Sequence, residues 1–329
     1  MTEYDIYAIG NALVDTEIEV TDQDLEALGI EKGIMTLVDE QRQQELLDYL
    51  QDHLTASRRA SGGSAANTVI AASYFGAKTF YSCKVADDDN GLFYRQDLQA
   101  AGVDHHPQPP TAGVTGKCLV MITPDAERSM NTFLGISETV STTELHPQSI
   151  AKSRFAYLEG YLVTSPTGRA AAISLRNQAQ QAGANIALSL SDPAMVEFFH
   201  DGLLEMIGEG VDLLFCNEAE ALRFTRCHDL DSAMTSLRQY ARSFAITRGA
   251  EGAVIFDGNE TFWLESQKVV AVDTNGAGDM FAGAFLFALC RGDSYRDAGR
   301  LAIRAAAAVV SRFGPRLPAP LHQQLLQEA

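Results

Sequence analysis

The chain sets a carboxylate directly behind a glycine-rich turn, Asp273-Thr274-Asn275-Gly276-Ala277-Gly278-Asp279, and then runs into the apolar stretch Met280 to Cys290. A β-rich segment, Lys268 to Val272, is expected to end at this turn, and a helix is expected to start after it. The first N–H groups of a helix lack intrahelical partners, and the aligned peptide dipoles place roughly half a positive charge at that end. Gly276 and Gly278 allow the backbone to bend sharply and approach a ligand, so the turn suits a phosphate with Asp279 held against it as a base. The plainer alternative is an ordinary turn in which Asp279 caps the helix. A dinucleotide fingerprint is excluded, because it needs Gly or Ala where Phe281 stands. A Walker loop is excluded as well, because the Gly116-Lys117 pair is followed by Cys118.

Three further segments could carry polar chemistry. Ser61-Gly62-Gly63-Ser64-Ala65-Ala66-Asn67 precedes a helical pattern. Its glycines let the backbone approach a small polar ligand, and Asn67 offers both donors and an acceptor one turn into the helix. Asn217-Glu218-Ala219-Glu220 follows an apolar strand and places Asn217 and Glu220 one helical turn apart, a spacing suited to Mg2+ waters and phosphate oxygens. Thr247-Arg248-Gly249-Ala250-Glu251-Gly252 is a strand end followed by a glycine turn. Each has a purely local explanation too: an N-cap at Ser64, an N-cap at Asn217 with a helix-starting acid, and a plain turn.

Elements of alternating type must position these segments. Tyr4 to Ile9, Lys78 to Val85, Phe155 to Glu159, Asn185 to Leu190, Val211 to Cys216 and Phe244 to Thr247 read as strands. Ser64 to Phe75, Leu92 to Ala101, Thr167 to Ala182, Ala194 to Ile207 and Ser232 to Arg242 read as helices. Such alternation predicts an α/β fold, a mostly parallel sheet with helices on both faces, whose ligands gather at the strand C-termini. Two hairpins are predicted: Gly252 to Phe256 with Glu260 to Leu264 around Asp257-Gly258-Asn259, and Lys117 to Thr123 with Arg128 to Leu134 around Pro124-Asp125. Residues 17–38 break the βα rhythm. We read residues 1–329 as a single domain, with a small β lid formed from about residues 12–40 and 110–135.

The chain of 329 residues carries 43 acidic against 25 basic side chains, a formal charge of −18, which argues against nucleic acid as a partner. The N-terminus lacks the features of a secretion signal, and the Met280 to Cys290 run is too short for a bilayer, which needs about 20 apolar residues. A cytoplasmic protein with no membrane partner is expected. Five cysteines without a CxxC pair suit buried reduced thiols, and His105-His106 before Pro107 has no ligand-spaced partner for a metal.

Taken in order, Gly-Gly-x-x-x-Asn, Asn-x-x-Glu, Thr-Arg-Gly-x-x-Gly and Asp-Thr-x-Gly-Ala-Gly-Asp resemble the motifs of the ribokinase-like (PfkB) carbohydrate and nucleoside kinases. The resemblance runs from Gly10-Asn11 to Gly314-Pro315 and implies a ribokinase-like three-layer α/β/α fold with a β-sheet lid. It implies Asp279 as catalytic base and the N–H groups of Gly276, Ala277, Gly278 and Asp279 as anion hole, in keeping with phosphoryl transfer by positioning and charge neutralisation. It further implies that Glu220, with Asn217, organises Mg2+ through water. Asn217, Thr247, Gly249, Gly252 and Asn275 would border the nucleotide, ATP. Asn11, Asp15, Gly63 and Asn67 would hold the acceptor, and Arg128 on the lid would meet the phosphates on closure. A monovalent cation such as K+ is implied near Asp273.

Within that family the motifs resemble adenosine kinase-like members. Gly10-Asn11-Ala12-Leu13-Val14-Asp15, Gly62-Gly63-Ser64, Ala187 to Pro193, Phe215 to Ala221 and Asn275 in place of a second Thr carry this. Leu13, Phe133 and Tyr161 could supply apolar walls for a purine. Ser129 to Gly135 departs from the eukaryotic adenosine kinase pattern. The expected activity is therefore transfer of the ATP γ-phosphate to a primary hydroxyl of an adenosine-like nucleoside. A sugar kinase acting on ribose or fructose and a catalytically weak nucleotide sensor are the alternatives. Lid strands of such proteins either stay monomeric or pair in homodimers.

Overall fold

A computed structural model describes residues 2–51, 58–106 and 109–327; Pro107 of the Pro-rich stretch lies outside them. In chain order the strands are β1 (Tyr4–Ile9), β2 (Leu13–Glu19), β3 (Met35–Leu37), β4 (Arg58–Gly62), β5 (Thr79–Ser82), β6 (Val103–Asp104) and β7 (Gly116–Ile122). They continue as β8 (Arg128–Phe133), β9 (Ser153–Glu159), β10 (Asn185–Ser189), β11 (Val211–Asn217), β12 (Ala241–Thr247), β13 (Ala253–Phe256) and β14 (Thr261–Leu264).

The large sheet runs β14-β13-β12-β11-β10-β9-β1-β5-β6, parallel from β12 to β6, with β13 and β14 antiparallel at one edge. Its central strands are continuously apolar because both faces are covered. Side chains alternate between two cores accordingly. Ile6 and Ala8 of β1 join Tyr157 and Phe215 in one, while Tyr7 and Ile9 join Leu158 and Leu188 in the other. The first core is closed by the helix Ala277–Arg291, packed between Ser64–Phe75 and Tyr295–Val310. This is the ribokinase-like three-layer α/β/α architecture expected above.

The second, five-stranded sheet has the order β3-β8-β7-β2-β4. It takes in β4, which the sequence reading left out of the lid. Arg59-Ala60-Ser61-Gly62 has little strand propensity and is extended because it pairs antiparallel with β2, Leu13 opposite Gly62. Between β2 and β3 a helix, Asp22–Leu28, is closed by a Thr21–Asp24 capping box.

Two expected elements differ. Lys268 to Val272 is not a strand: its β-branched residues find no neighbouring strand, and Val270 is 82% exposed. The helix expected over Ser232 to Arg242 spans Leu230–Leu237, because Ala241 already pairs with Val211 in the sheet.

Candidate active site

A cavity of about 460 Å³ lies where the C-terminal ends of the central strands face the small sheet. Asn11 follows β1, Glu159 ends β9, Ser191 and Asp192 follow β10, Asn217 ends β11 and Thr247 ends β12; all line it. The small sheet contributes Leu13, Asp15, Met35, Cys118, Arg128 and Met130.

Asp279 sits in the first turn of the helix Ala277–Arg291, half-buried in the cavity wall. It does not cap the helix. The N-cap position is Gly276, without a side-chain cap, and the Asp279 carboxylate accepts hydrogen bonds from Ser64 Oγ at 2.6 Å and Asn67 Nδ2 at 3.0 Å. Burial raises its pKa, opposed by these two hydrogen bonds and by the charges of Arg128 and Arg316. Ser64 likewise does not cap its own helix, whose N-cap is Gly63.

The turn itself is held from behind. Asp273, fully buried, accepts from Asn275 N at 2.8 Å and Gly314 N at 2.9 Å. Gly276 has φ +72, and a Cβ there would lie 2.3 Å from Pro315 O, whereas a Cβ on Gly278 would project into open space. Among the described residues the N–H groups of Gly276, Gly278 and Asp279 have no hydrogen-bond partner, so the turn presents unpaired donors to the cavity. Ala277 differs from expectation in donating to Thr274 O at 3.3 Å.

Buried acids surround this centre. Asp15 is raised to about 8 by burial and by Glu17. Glu159 is raised to about 7 by burial, although its carboxylate accepts from Asn11 N at 3.1 Å, Asn11 Nδ2 at 3.3 Å and Ala65 N at 2.7 Å. Glu159 thereby ties the Asn11 loop to the start of the helix that carries Asn67. Glu220 is raised to about 7 by burial and forms a reciprocal capping box with Asn217: Glu220 N donates to Asn217 Oδ1 at 2.8 Å, and Asn217 N donates back to Glu220 Oε2 at 3.0 Å. The cap and the cavity lining are thus the same residues. Arg128 reaches into the cavity toward Asp279, Asp192 and Asp273, and among the described residues it forms no ion pair.

Of the residues singled out by sequence, Asn11, Asp15, Gly63, Asn67, Arg128, Asn217, Glu220, Thr247, Gly249, Asn275, Gly276, Ala277, Gly278 and Asp279 all line the cavity. Gly252 does not. It stands just before β13, where a Cβ would lie 2.0 Å from Leu264 O, so packing accounts for it. Phe133 is likewise absent from the lining; the apolar surface comes from Leu13, Met35, Leu37, Met130, Leu134 and Tyr161. Asn275 turns its amide to Glu17 Oε1 at 3.4 Å, and Thr274 Oγ1 donates to Ala126 O at 3.1 Å, so the small sheet is fastened to the anion turn. Glu159, Ser191 and Asp192 were not singled out as site residues, although Ser191 and Asp192 fall within the Ala187 to Pro193 stretch quoted above. Ser191, with φ +72 in a non-glycine residue, is a strained position of the kind found at functional sites.

The model of the pfkB family carbohydrate kinases matches residues 32–321. The chain belongs to the pfkB carbohydrate kinase family. The pfkB chain is similar in structure to adenosine kinase from Sinorhizobium meliloti, with 34% identity, a TM-score of 0.94 and full coverage of both chains. It is similar to a probable sugar kinase from Rhizobium etli CFN 42, with 33% identity, a TM-score of 0.94 and coverage of 100% and 99%. In sequence it is 28% identical to adenosine kinase of Schizophyllum commune over 99% of this chain and 100% of the relative. As a pfkB kinase it is a phosphotransferase acting on an alcohol group. Among its described residues no helix is long and apolar enough to cross a membrane, and the pfkB chain's cysteines are free, with Cys83, Cys118, Cys216 and Cys290 buried.

Proposed function

We propose that this kinase transfers the γ-phosphate of ATP to the primary hydroxyl of adenosine, with Asp279 as the base. The observation that carries this is the Asp279 carboxylate, held by Ser64 and Asn67 beside unpaired N–H donors and open to one cavity. Asp279 takes the acceptor hydroxyl proton as that oxygen attacks phosphorus; the bond to the bridging oxygen breaks and ADP leaves. The free N–H groups of Gly276, Gly278 and Asp279 stabilise charge on the transferring oxygens, and Arg128 adds a cation from the lid. Burial raises the pKa of this base, and Ser64, Asn67 and the two arginines oppose that rise and so favour the ionised form that can take a proton.

Mg2+ fits the Asn217–Glu220 end of the cavity. Both Glu220 oxygens already accept from Asn217, and the remaining lone pairs suit bound water, so contact through water is the natural mode. When bound, Mg2+ neutralises phosphate charge. Among the described residues no cluster of His, Cys, Asp and Glu could hold a metal alone, so the phosphates would complete its shell. Near Asp273, each of whose oxygens accepts one hydrogen bond, from Asn275 N and Gly314 N, a K+ ion would be held largely by backbone carbonyls.

For the acceptor, Asp15 and Asn11 offer partners to ribose hydroxyls, while Leu13, Met35, Leu37, Met130 and Leu134 form an apolar surface larger than a free sugar needs. The likeness to adenosine kinase from Sinorhizobium meliloti supports the same acceptor. An ADP-release screen of adenosine, inosine, guanosine, ribose and fructose tests it: adenosine is expected to give the highest kcat/KM. Turnover confined to ribose or fructose would overturn the nucleoside assignment. Nucleotide binding without ADP release for any acceptor would favour a sensor. We place the catalytic unit in one domain, residues 1–329, with the small sheet as lid.

A further inference from the structure

We propose that Arg316 is a positioning residue for the base: its guanidinium fixes the amide of Asn67 in the orientation that holds Asp279. This rests on Asp279 being the base, as proposed above. Arg316 follows Gly314-Pro315, the loop that braces the anion turn through Gly314 N to Asp273 and Pro315 against Gly276. Its three donor nitrogens have separate partners. Nε donates to Asn67 Oδ1 at 2.9 Å, Nη1 to Asp97 Oδ2 at 2.8 Å and Nη2 to Ser61 Oγ at 2.7 Å. Ser61 Oγ in turn donates to Asp97, which closes a ring around the guanidinium.

The consequence follows from donor and acceptor chemistry. A guanidinium only donates, so the Asn67 atom facing it must be the carbonyl oxygen. The amide nitrogen then necessarily faces Asp279, which it meets at 3.0 Å. A flipped amide would set its oxygen against the Asp279 carboxylate and its NH2 against the guanidinium. Both contacts are repulsive, so one arginine decides which face the base sees. The charge matters as well, because Arg316 is only 13% exposed and weakly screened. The charged and titratable groups that act on Asp279 are Arg128 from β8, Arg316, Asp15 from β2, Tyr157 and Glu159 from β9, and Tyr161 after it. Arg128 and Arg316 are the cations in this set, and both lower the Asp279 pKa.

An arginine serving only to anchor the C-terminal segment would change stability and leave chemistry alone. The test compares wild type, Arg316→Gln and Arg316→Lys, each checked for folding by its thermal shift with ATP, and measures kcat, KM for ATP and the pH profile with the best acceptor. Arg316→Gln should lower kcat between about 10- and 100-fold with KM for ATP within about twofold. Removing a cation raises the base's pKa, so its acid limb should move to higher pH. Arg316→Lys keeps the charge but cannot serve all three partners, so kcat should fall while the limb stays near wild type. If Arg316→Gln does not fold, Arg316→Lys decides. Folded variants with wild-type kcat and limb would overturn the positioning role while leaving Asp279 as base. A wild type inactive on every acceptor would overturn the kinase assignment and the role with it.

Discussion

Two glycines two residues apart in the anion turn should respond to the same substitution in opposite ways. Gly276 sits at φ +72, where an alanine costs roughly 1–2 kcal/mol in backbone strain. Its new Cβ would also lie 2.3 Å from Pro315 O, a backbone atom that cannot swing aside. Gly276→Ala should therefore destabilise by about 2–4 kcal/mol, adding overpacking to the strain. Gly278 lies inside the helix Ala277–Arg291 with no positive φ, and its Cβ would meet nothing within 4 Å. There alanine is the better helix former, worth up to about 1 kcal/mol. Gly278→Ala should hold or raise the melting temperature, by about 2 °C at most in a chain of this size. Yet that open space is where a phosphate must approach the unpaired N–H groups, so the methyl should lower kcat about 100-fold or more. Thermal unfolding and coupled ADP release on both variants measure the four quantities. Gly278→Ala with near-wild-type kcat would refute the anion hole, whatever its stability.

Other substitutions probe the surrounding groups. Glu220→Gln should raise the Mg2+ concentration needed for half-maximal activity; an unchanged Mg2+ titration would count against a metal role. Asn275→Thr should leave the ratio of adenosine to ribose kcat/KM unchanged, because the Asn275 amide faces Glu17 rather than the acceptor; a shifted ratio would restore Asn275 as a specificity residue. Burial lifts Glu159 from 4.5 to about 7, so its protonated form favours the fold. That stabilisation is complete below about 4.5 and is lost as pH rises through about 7. Glu159→Gln cannot ionise and should show a shallower fall in melting temperature between pH 5 and about 8 than wild type; equal slopes would contradict the shift.

What the sequence made legible was local. The glycine turns and their acids could be read because each lies at a helix start, where a few adjacent residues carry the whole signal. Asn67, Glu220 and Asp279 belong to this class. Glu159 did not stand out because alone it is the last residue of an apolar strand; its role arises from where Asn11 and Ala65 are folded against it. Arg316 is 249 residues from Asn67, and its meaning lies in a convergence no spacing encodes. The sheet was legible through period and burial, but β4 was not, since pairing with β2 rather than propensity makes it a strand. Lys268 to Val272 shows the converse, propensity without a partner. The local alternatives at Ser64 and Asn217 also resolve differently: Ser64 is the first residue of its helix and gives its hydroxyl to Asp279 instead of capping, whereas Asn217 caps its helix and lines the cavity at once.

The most direct measurement is adenosine phosphorylation by wild type and Asp279→Asn, followed as AMP and ADP formed from ATP with Mg2+. Wild type is expected to form AMP and ADP in equal amounts, and Asp279→Asn is expected to bind ATP normally while its kcat falls about 1,000-fold or more. Near-normal turnover by Asp279→Asn, or a wild type that releases ADP only with ribose or fructose, would contradict it.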